Sequence, residues 1–193
     1  MSEKIKLTRV RLSYEHIFKP TAFEEDKDPV YSGTFIIPKT RKDVIEAVRR
    51  TLWNVGAEEF KSDFAKVKYP VWPKGLTCAL KDADTATDTM GEILAEKNPA
   101  YENCYILEAN STRRPVILDR NKAAVAEEDD LIYSGCYVNV SLNASAYTFG
   151  KVKKGVKCYL NGVQFVCDGE RFGADAADDF DVLEDDEDDD MLD

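Results

Sequence analysis

The acidic C-terminus limits how much of this chain can fold. Residues 174–193 hold twelve of the 37 acidic side chains and contain neither lysine nor arginine. A segment so charged, without hydrophobic periodicity, cannot bury enough apolar surface to fold, and we expect it to be disordered. Residues 1–173 keep 26 basic and 25 acidic side chains and form a nearly neutral body with the length of one domain.

The composition of the body disfavours several classes of protein. No apolar run is long enough to cross a membrane, and the charged N-terminus lacks the hydrophobic core of a signal peptide. The five cysteines form no CxxC pair and His16 is the sole histidine, so we expect neither a metal, a cofactor nor a disulfide scaffold. These features predict a protein that acts in the cytoplasm.

Alternating hydrophobicity predicts a mainly β fold. Residues 4–14 alternate, but the parity of their apolar side chains changes near Thr8 and Arg9, which indicates a β-bulge. The polar side of this strand carries four cations: Lys4, Lys6, Arg9 and Arg11. Further strands are predicted at 30–37, 104–110, 115–119, 135–146 and 156–167.

One amphipathic helix and several loops interrupt the strands. Apolar residues at helical spacing from Val44 to Val55 predict the helix, with Thr40 or Asp43 as its N-cap. A short helix is expected within 57–66, a long loop with one helical turn at 81–98, and a basic hairpin at 147–155. Many short strands without βαβ alternation predict a β-barrel with helical insertions.

Signatures of enzymes are missing from the sequence. There is no phosphate-binding P-loop, dinucleotide fingerprint, nucleophile elbow or zinc-protease motif. A calcium loop beginning at Asp82 has the wrong residues at three essential positions. Asp119 and Asp168 keep a metal-dependent nuclease open as one alternative, which predicts metal-dependent strand loss and sensitivity to Asp119→Ala or Asp168→Ala.

Basic residues interleaved with aromatic ones favour a groove for single-stranded nucleic acid. Cations follow the phosphates, and exposed aromatic rings stack on bases. The phosphate-binding candidates are Arg9, Arg11, Lys39, Arg41, Arg113, Arg114, Lys151, Lys153 and Lys154. The stacking candidates are Tyr14, Trp72, Tyr105, Tyr137, Tyr147 and Phe149.

The acidic tail contains apolar side chains that a partner protein could bind. We interpret it as a partner-binding or autoinhibitory segment that competes with DNA for the cationic groove. Its candidate residues are Phe180, Asp185, Asp186, Asp188, Asp189, Asp190, Met191 and Leu192, with Val182 and Leu183 as further apolar positions.

Three stretches, taken in order and followed by the Asp-rich end, resemble the single-stranded DNA-binding proteins of tailed phages. They are KLTRVRLSYEHIFKP with YSGTFIIPK, then YILEANSTRRPVILD, then YSGCYVNVSLNASAYTFGKVKKGVKCYLNGVQFVCDGERFG. The resemblance implies a five-stranded OB barrel over 1–173, sequence-tolerant DNA binding, and a tail at 174–193 that engages replication proteins. Many such tails end in an aromatic residue, whereas this chain ends Met191-Leu192-Asp193.

The sequence therefore predicts a non-catalytic protein of phage DNA replication or recombination in the infected host's cytoplasm. It would coat and protect single strands, and removal of its tail could reveal binding to duplex DNA. The alternative is an acidic protein–protein adaptor or DNA mimic, which would bind no DNA even without the tail.

Overall fold

The structure is a computed structural model that describes residues 2–22, 25, 27–150 and 152–173, apart from the side chains of Tyr14 and Glu15. Its strands are β1 (Ser2–Thr21), β2 (Val30–Pro38), β3 (Leu76–Cys78), β4 (Leu80–Asp82), β5 (Cys104–Ser111), β6 (Val116–Leu118), β7 (Tyr137–Phe149) and β8 (Lys153–Cys167). Its helices are α1 (Lys42–Glu59), α2 (Lys61–Phe64) and α3 (Leu94–Lys97), with 3-10 turns at Pro99–Tyr101 and Glu127–Asp129.

Five of the strands close into a ring. β1 pairs antiparallel with both β2 and β7, β2 pairs with β5, and β7 pairs with β8. A parallel pairing of Ala109 with Cys158 joins β5 to β8 and closes the barrel. The short strands β3, β4 and β6 extend the sheet from this ring. The predicted five-stranded OB barrel is confirmed, with the three short strands and the helices as its elaborations.

A β-bulge in β1 keeps the strand's four cations on the outside of the barrel. The register with β7 shifts between Leu7 and Val10, and Arg9 adopts a positive φ of 48°. The Arg9 N–H donates to Asn139 Oδ1 at 3.0 Å, which holds the bulge against β7. Ile5 and Leu7 before the bulge and Val10 and Leu12 after it are all buried in the core, as the sequence predicted.

The barrel interior is filled from every strand of the ring. Leu12, Phe35, Leu107, Leu142 and Leu160 are each at most 2% exposed and belong to one core cluster. One face of α1 joins the same cluster through Ile45, Val48, Leu52 and Val55. The helix predicted by the apolar spacing is therefore observed, and it stabilises the barrel by burying that face.

Part of the outer surface of β2 and β5 is covered by an insertion, residues 83–103. Ile36 of β2 and Ile106 of β5 are 2% exposed, although their side chains point away from the barrel interior. They pack against Ala83, Tyr101 and Cys104 in a second cluster. In this buried layer the hydroxyls of Ser13 and Tyr101 are hydrogen-bonded at 2.8 Å. The insertion therefore covers part of the face that commonly binds ligands in OB barrels, while Glu108 and Asn110 further along β5 stay exposed.

Local details differ from the sequence predictions at helix ends and loops. The N-cap of α1 is Arg41, not Thr40 or Asp43, because the Arg41 N–H bonds to the Pro38 carbonyl at 2.9 Å and places this residue at the helix start. The 57–66 region contains α2 after α1 has ended. The 81–98 loop holds one helical turn, α3, as expected. The cysteines are buried or half-buried thiols, and burial raises the pKa of Cys78 to about 11.

Candidate nucleic-acid interface

Three arginines and a tyrosine meet on the outer surface of β1. Arg9 and Arg11 lie on the strand, Arg41 precedes α1, and Tyr137 begins β7 directly opposite Arg11. They line a cavity of about 580 Å³ together with Thr8, Ile36, Pro38, Ala100 and Cys104. We call Arg9, Arg11, Arg41 and Tyr137 the arginine groove. The structure thus brings together four residues that the sequence analysis proposed from distant positions.

Backbone carbonyls hold the guanidinium groups of Arg41 and Arg11 in place. Arg41 Nη1 donates to the carbonyls of Thr8 and Arg9 at 2.9 Å each, so the bulge positions this side chain. The centres of the Arg9 and Arg11 guanidiniums each lie 5.9 Å from the Tyr137 ring centroid. Since no carboxylate neutralises these three arginines among the described residues, their charges stay available to an anion.

Arg11 also connects β1 to the end of the folded body. Its Nε donates to the Gly135 carbonyl at 3.0 Å and its Nη2 to the Glu170 carbonyl at 2.7 Å. Its guanidinium centre lies 4.3 Å from the Phe172 ring centroid. A side chain at Gly169 would overlap the Gly135 carbonyl, so glycine is needed where the segment after β8 meets the loop before β7.

A second cavity, of about 780 Å³, continues from the arginine groove. It shares the lining residues Arg11 and Ala100 with the cavity of the arginine groove, and it is lined further by Lys97, Arg171, Phe172 and Gly173. Gly173 is the last described residue before the acidic tail. Lys97 and Arg171 pair with Asp88 and Asp130, each at 2.5 Å, and the Lys97 hydrogen bond holds the pKa of Asp88 at about 2. The tail therefore begins beside the cationic surface.

Two predicted phosphate ligands lie in ion pairs away from the groove. Lys39 Nζ lies 2.8 Å from Asp82 and 2.6 Å from Asp84, whose hydrogen bonds raise the pKa of the lysine. Lys154 Nζ lies 2.6 Å from Asp63 on α2 and holds the pKa of that carboxyl below its usual value. The structure does not bring either lysine into the arginine groove.

Two predicted stacking residues are packed into the fold. Trp72 lies against Trp53 and Phe64 in edge-to-face contacts, and its indole N–H donates to the Leu76 carbonyl at 2.9 Å. The Tyr105 hydroxyl accepts a hydrogen bond from Arg49 at 3.0 Å, and its ring packs against the core. Both rings are partly buried and pack against the body, and neither lines the arginine groove; their stacking on bases stays a prediction.

The remaining candidates are spread over other surfaces. Phe149 is 76% exposed near the tip of the β7–β8 hairpin, with Tyr147 and Lys153 on the adjoining strands. Arg113 and Arg114 follow β5 at the end far from Pro38, since Pro38 pairs with Cys104 at the start of that strand. Lys151, the Tyr14 side chain and all the tail candidates lie outside the described residues.

Four residues of the cationic surfaces escaped the sequence analysis. Arg171 and Phe172 line the second cavity, and Lys157 and Tyr159 lie on the outer face of β8. Alternation within 156–167 could have placed Lys157 and Tyr159 outside, because Cys158 and Leu160 between and beside them are apolar. No local pattern marked Arg171 or Phe172, since only the contact with Arg11 brings them to the groove.

The two carboxylates considered for a nuclease have structural partners. Asp119 Oδ1 accepts hydrogen bonds from the N–H groups of Asn121 and Ala123 at 2.8 Å, and Asp168 accepts from the Tyr133 hydroxyl at 2.9 Å. In the part of the chain that the structure describes, no three His, Cys, Asp or Glu side chains are grouped so as to hold a metal ion. Across those same residues, no helix has the length and apolar character needed to cross a membrane.

A curated relative has the same extent as this chain. Protein p50 of Acyrthosiphon pisum secondary endosymbiont phage 1 is 32% identical over 184 residues, which cover 93% of this chain and 94% of p50. A family model described as the ssDNA-binding protein of Enterobacter phage Enc34 matches residues 3–192. The matched region therefore includes both the barrel and nearly all of the acidic tail.

Solved structures agree with these matches. The single-stranded DNA-binding protein of bacteriophage Enc34, in complex with ssDNA, is 25% identical with a TM-score of 0.69, covering 88% of this chain and 89% of its own. The bacteriophage T7 single-stranded DNA-binding protein gp2.5 shares the fold, with a TM-score of 0.54 at 14% identity and coverage of 94% and 96%. This chain belongs to the family of phage single-stranded DNA-binding proteins represented by that of Enterobacter phage Enc34.

Proposed function

We propose that this protein binds single-stranded DNA without sequence selectivity through the arginine groove. The observation that carries the proposal is the meeting of Arg9, Arg11 and Arg41 around Tyr137, with no carboxylate paired to these arginines among the described residues. The Enc34 protein, which has the same fold, is known in complex with ssDNA. We expect the protein to coat and protect exposed strands during phage DNA replication or recombination in the host cytoplasm.

The chemistry of the groove suits a single strand. Guanidinium groups bind phosphates through charge-assisted hydrogen bonds, and the Tyr137 ring offers a face on which a base can stack. Every nucleotide carries a phosphate and every base has a flat face, so this mode does not read sequence. Each phosphate contact releases condensed cations, and affinity should fall steeply with salt.

The acidic tail would regulate this groove by competing with DNA. It follows Gly173, which lines the cavity next to the arginine groove, and it carries twelve acidic side chains. A segment tethered so close has an effective concentration on the millimolar scale at the groove. DNA would displace the tail and make it available to a partner. The competition should be strongest at low salt, where screening is weakest.

Fluorescence anisotropy of labelled oligo(dT) across a salt series tests both statements. The full chain is compared with the 1–173 truncation and with a full-length variant that keeps the tail but neutralises Asp185, Asp186, Asp188, Asp189 and Asp190 as asparagines. We expect both altered proteins to bind more tightly at low salt and the difference to shrink as salt rises. The same series with duplex DNA tests whether the tail excludes double strands.

Two outcomes would count against the proposal in different ways. Equal affinities of the three proteins at low salt would remove the competition and leave DNA binding intact. No binding by any of them would remove the DNA-binding function. The acidic tail would then favour the alternative, a protein–protein adaptor or DNA mimic.

We further propose that the displaced tail recruits replication or recombination proteins through its apolar residues. Phe180, Met191 and Leu192 punctuate the acidic side chains, and such residues in a charged segment can be held in a partner's pocket. Capture from infected-cell lysate, with and without bound oligo(dT), compares the full chain with a variant in which these three residues are alanine. Recruitment predicts proteins that are captured more strongly with DNA and lost with the variant; the same proteins on both would contradict it.

A further inference from the structure

The outward face of β7 continues from the arginine groove along the barrel. Its even-numbered residues from Val138 to Ala144 are at most 3% exposed inside the barrel, so the odd-numbered ones face outward. From Tyr137 to Tyr147 this outward row spans about 33 Å at the usual strand rise. After Tyr137, the row consists of small polar residues ending in a tyrosine: Asn139, Ser141, Asn143, Ser145 and Tyr147.

Two lysines of β1 flank this row. Lys4 pairs in register with Asn143, and Lys6 pairs with Ser141. Both are exposed, and neither takes part in an ion pair in the described part of the chain. The bulge shifts the alternation of β1 by one residue, so the even-numbered Lys4 and Lys6 face the same outer surface as the odd-numbered Arg9 and Arg11. The cations of β1 thus continue the arginine groove toward the N-terminus.

An aromatic and a third lysine flank the row on the other side. Tyr159 of β8 pairs with Asn143, and Lys157 pairs with Ser145. The Lys157 ammonium lies 4.6 Å from the Tyr159 ring centroid and 5.5 Å from that of Tyr147. Tyr159 remains 37% exposed despite these contacts. Cations therefore lie on both sides of a polar floor, with an aromatic face on the β8 side.

The floor is recessed between β1 and β6. Ser141 pairs with Gly162, and these two small residues form the base of a cavity of about 470 Å³ that Lys6, Thr8 and Val116 also line. This cavity shares Thr8 with the arginine groove. In the described part of this face, the outward residues of β7 and their register partners in β1 and β8 include no aspartate or glutamate, and Asp43 of α1 lines a separate cavity beside Lys4 and Lys6. Such a surface suits a polyanion.

We infer that bound single-stranded DNA runs from the arginine groove along β7, held by Lys4, Lys6 and Lys157 and stacked on Tyr159. This inference rests on the proposed function and specifies the path of the strand. The insertion covers the outer face of β2 and β5 around Ile36 and Ile106, whereas the outward row of β7 is partly exposed along its whole length. The length of the row agrees with site sizes of about 4–16 nucleotides per OB fold.

The test uses the full chain and oligo(dT) at low salt. Lys4→Gln/Lys6→Gln should weaken binding about tenfold and reduce the slope of log K against log salt by about 1.4, because each phosphate that loses its lysine lowers the slope by about 0.7. Tyr159→Ala should weaken binding by a similar factor, because a base can no longer stack there. The matched control is Lys61→Gln/Lys68→Gln, which removes two exposed lysines from α2 and the loop after it. These lysines lie away from the β7 row, because Asp63 of α2 pairs with Lys154 at the start of β8.

Photo-cross-linking supplies a second readout that does not depend on affinity. Oligonucleotides carrying 5-iodo-deoxyuridine should cross-link to Tyr159 in the full chain, and the modified peptide can be identified by mass spectrometry. Variants that bind like the control, with no cross-link on β8, would overturn the β7 path and leave DNA binding through the arginine groove standing. Failure of the unmodified chain itself to bind would instead remove the proposed function.

Discussion

Two outer faces of the same barrel differ in how exposed their residues are and in whether their cations are paired with carboxylates. On β2 and β5, Ile36 and Ile106 are buried under residues 83–103, and the nearby lysines Lys39 and Lys81 are paired with carboxylates. On β1 and β7, the outward residues are polar or cationic and remain accessible. Both faces carry cations, but in the described part of the chain only those on the β2–β5 face are paired with carboxylates.

The difference shows how an OB barrel can use a different outer face for its ligand. An insertion that covers the usual face of an OB barrel needs its own core and its own charge partners, which the Lys39–Asp84 pair and the Ile36–Ile106 cluster supply. Four cations without an ion pair among the described residues, Lys4, Lys6, Arg9 and Arg11, then lie on the neighbouring strand β1. The net charge of the whole chain hides this arrangement, because all of the excess negative charge lies in the tail.

The largest expected effect comes from opening the covered face. Ile106→Ala should lower the free energy of unfolding by about 2–5 kcal/mol, because it leaves a cavity in the layer between β5 and the insertion. Chemical denaturation measures this decrease. Below the unfolding transition, the affinity for oligo(dT) should stay unchanged; a parallel drop in affinity would show that DNA also uses this face.

Removing charge from the open face should produce the next largest effect. Arg9→Asn/Arg41→Gln should weaken oligo(dT) binding by about 100-fold, near 2.7 kcal/mol, because two phosphate ligands are removed. Asparagine is chosen at position 9 because it tolerates the positive φ that Arg9 adopts. Anisotropy gives the affinity and circular dichroism verifies the fold. Unchanged affinity in a folded variant would exclude the arginine groove as the binding site.

A smaller effect is expected from the ion pair that fastens the insertion. Hydrogen bonds from Lys39 and from the Asn103 N–H lower the pKa of Asp84 below its ordinary 3.8. A lowered folded-state pKa gives stability that is present above pH 3.8 and lost as pH falls through the folded value. In the Asp84→Asn variant, the free energy of unfolding should therefore decrease less steeply as the pH falls below about 4. An unchanged decrease, measured by denaturation at several pH values, would remove this role of Asp84.

The smallest effect should come from a paired lysine on the covered face. Lys81 lies 2.7 Å from Glu108, so its charge is already compensated. Lys81→Gln should leave oligo(dT) affinity within about twofold, whereas Lys6→Gln on the open face should weaken it more and lower the salt slope by about 0.7. Equal decreases in the two variants would show that only total charge matters and that the two faces do not differ.

Local pattern was enough to predict most of the fold. Six of the eight strands among the described residues, the bulge at Thr8 and Arg9, and the face of α1 follow from periodicity, since a strand or helix with one buried side must repeat its apolar residues at the period of its backbone. The short strands β3 and β4 were not predicted. The N-cap of α1 was wrong because the turn from Pro38 to Arg41 is set by a backbone hydrogen bond, which no side-chain pattern reports.

The candidate site was predicted only in part. Arg9, Arg11, Arg41 and Tyr137 meet in one groove, but Lys39, Lys154, Trp72 and Tyr105 are held in ion pairs or in packing contacts. A lysine or an aromatic ring looks the same in sequence whether a carboxylate or a neighbouring helix lies beside it. Three of the partners, Asp84, Arg49 and Asp63, lie 45 to 91 residues away along the chain, whereas Trp72 bonds locally to Leu76.

By itself, the sequence determined that the charge is divided between a neutral body and an acidic tail, which strand sides are buried, and where β1 bulges. These are local properties, because composition and alternation act over a few residues. The tertiary structure alone decided which cations stay unpaired, which face is covered, and that Gly173 reaches the cationic cavity. Each of these depends on contacts between distant segments, and only the closed barrel creates those contacts.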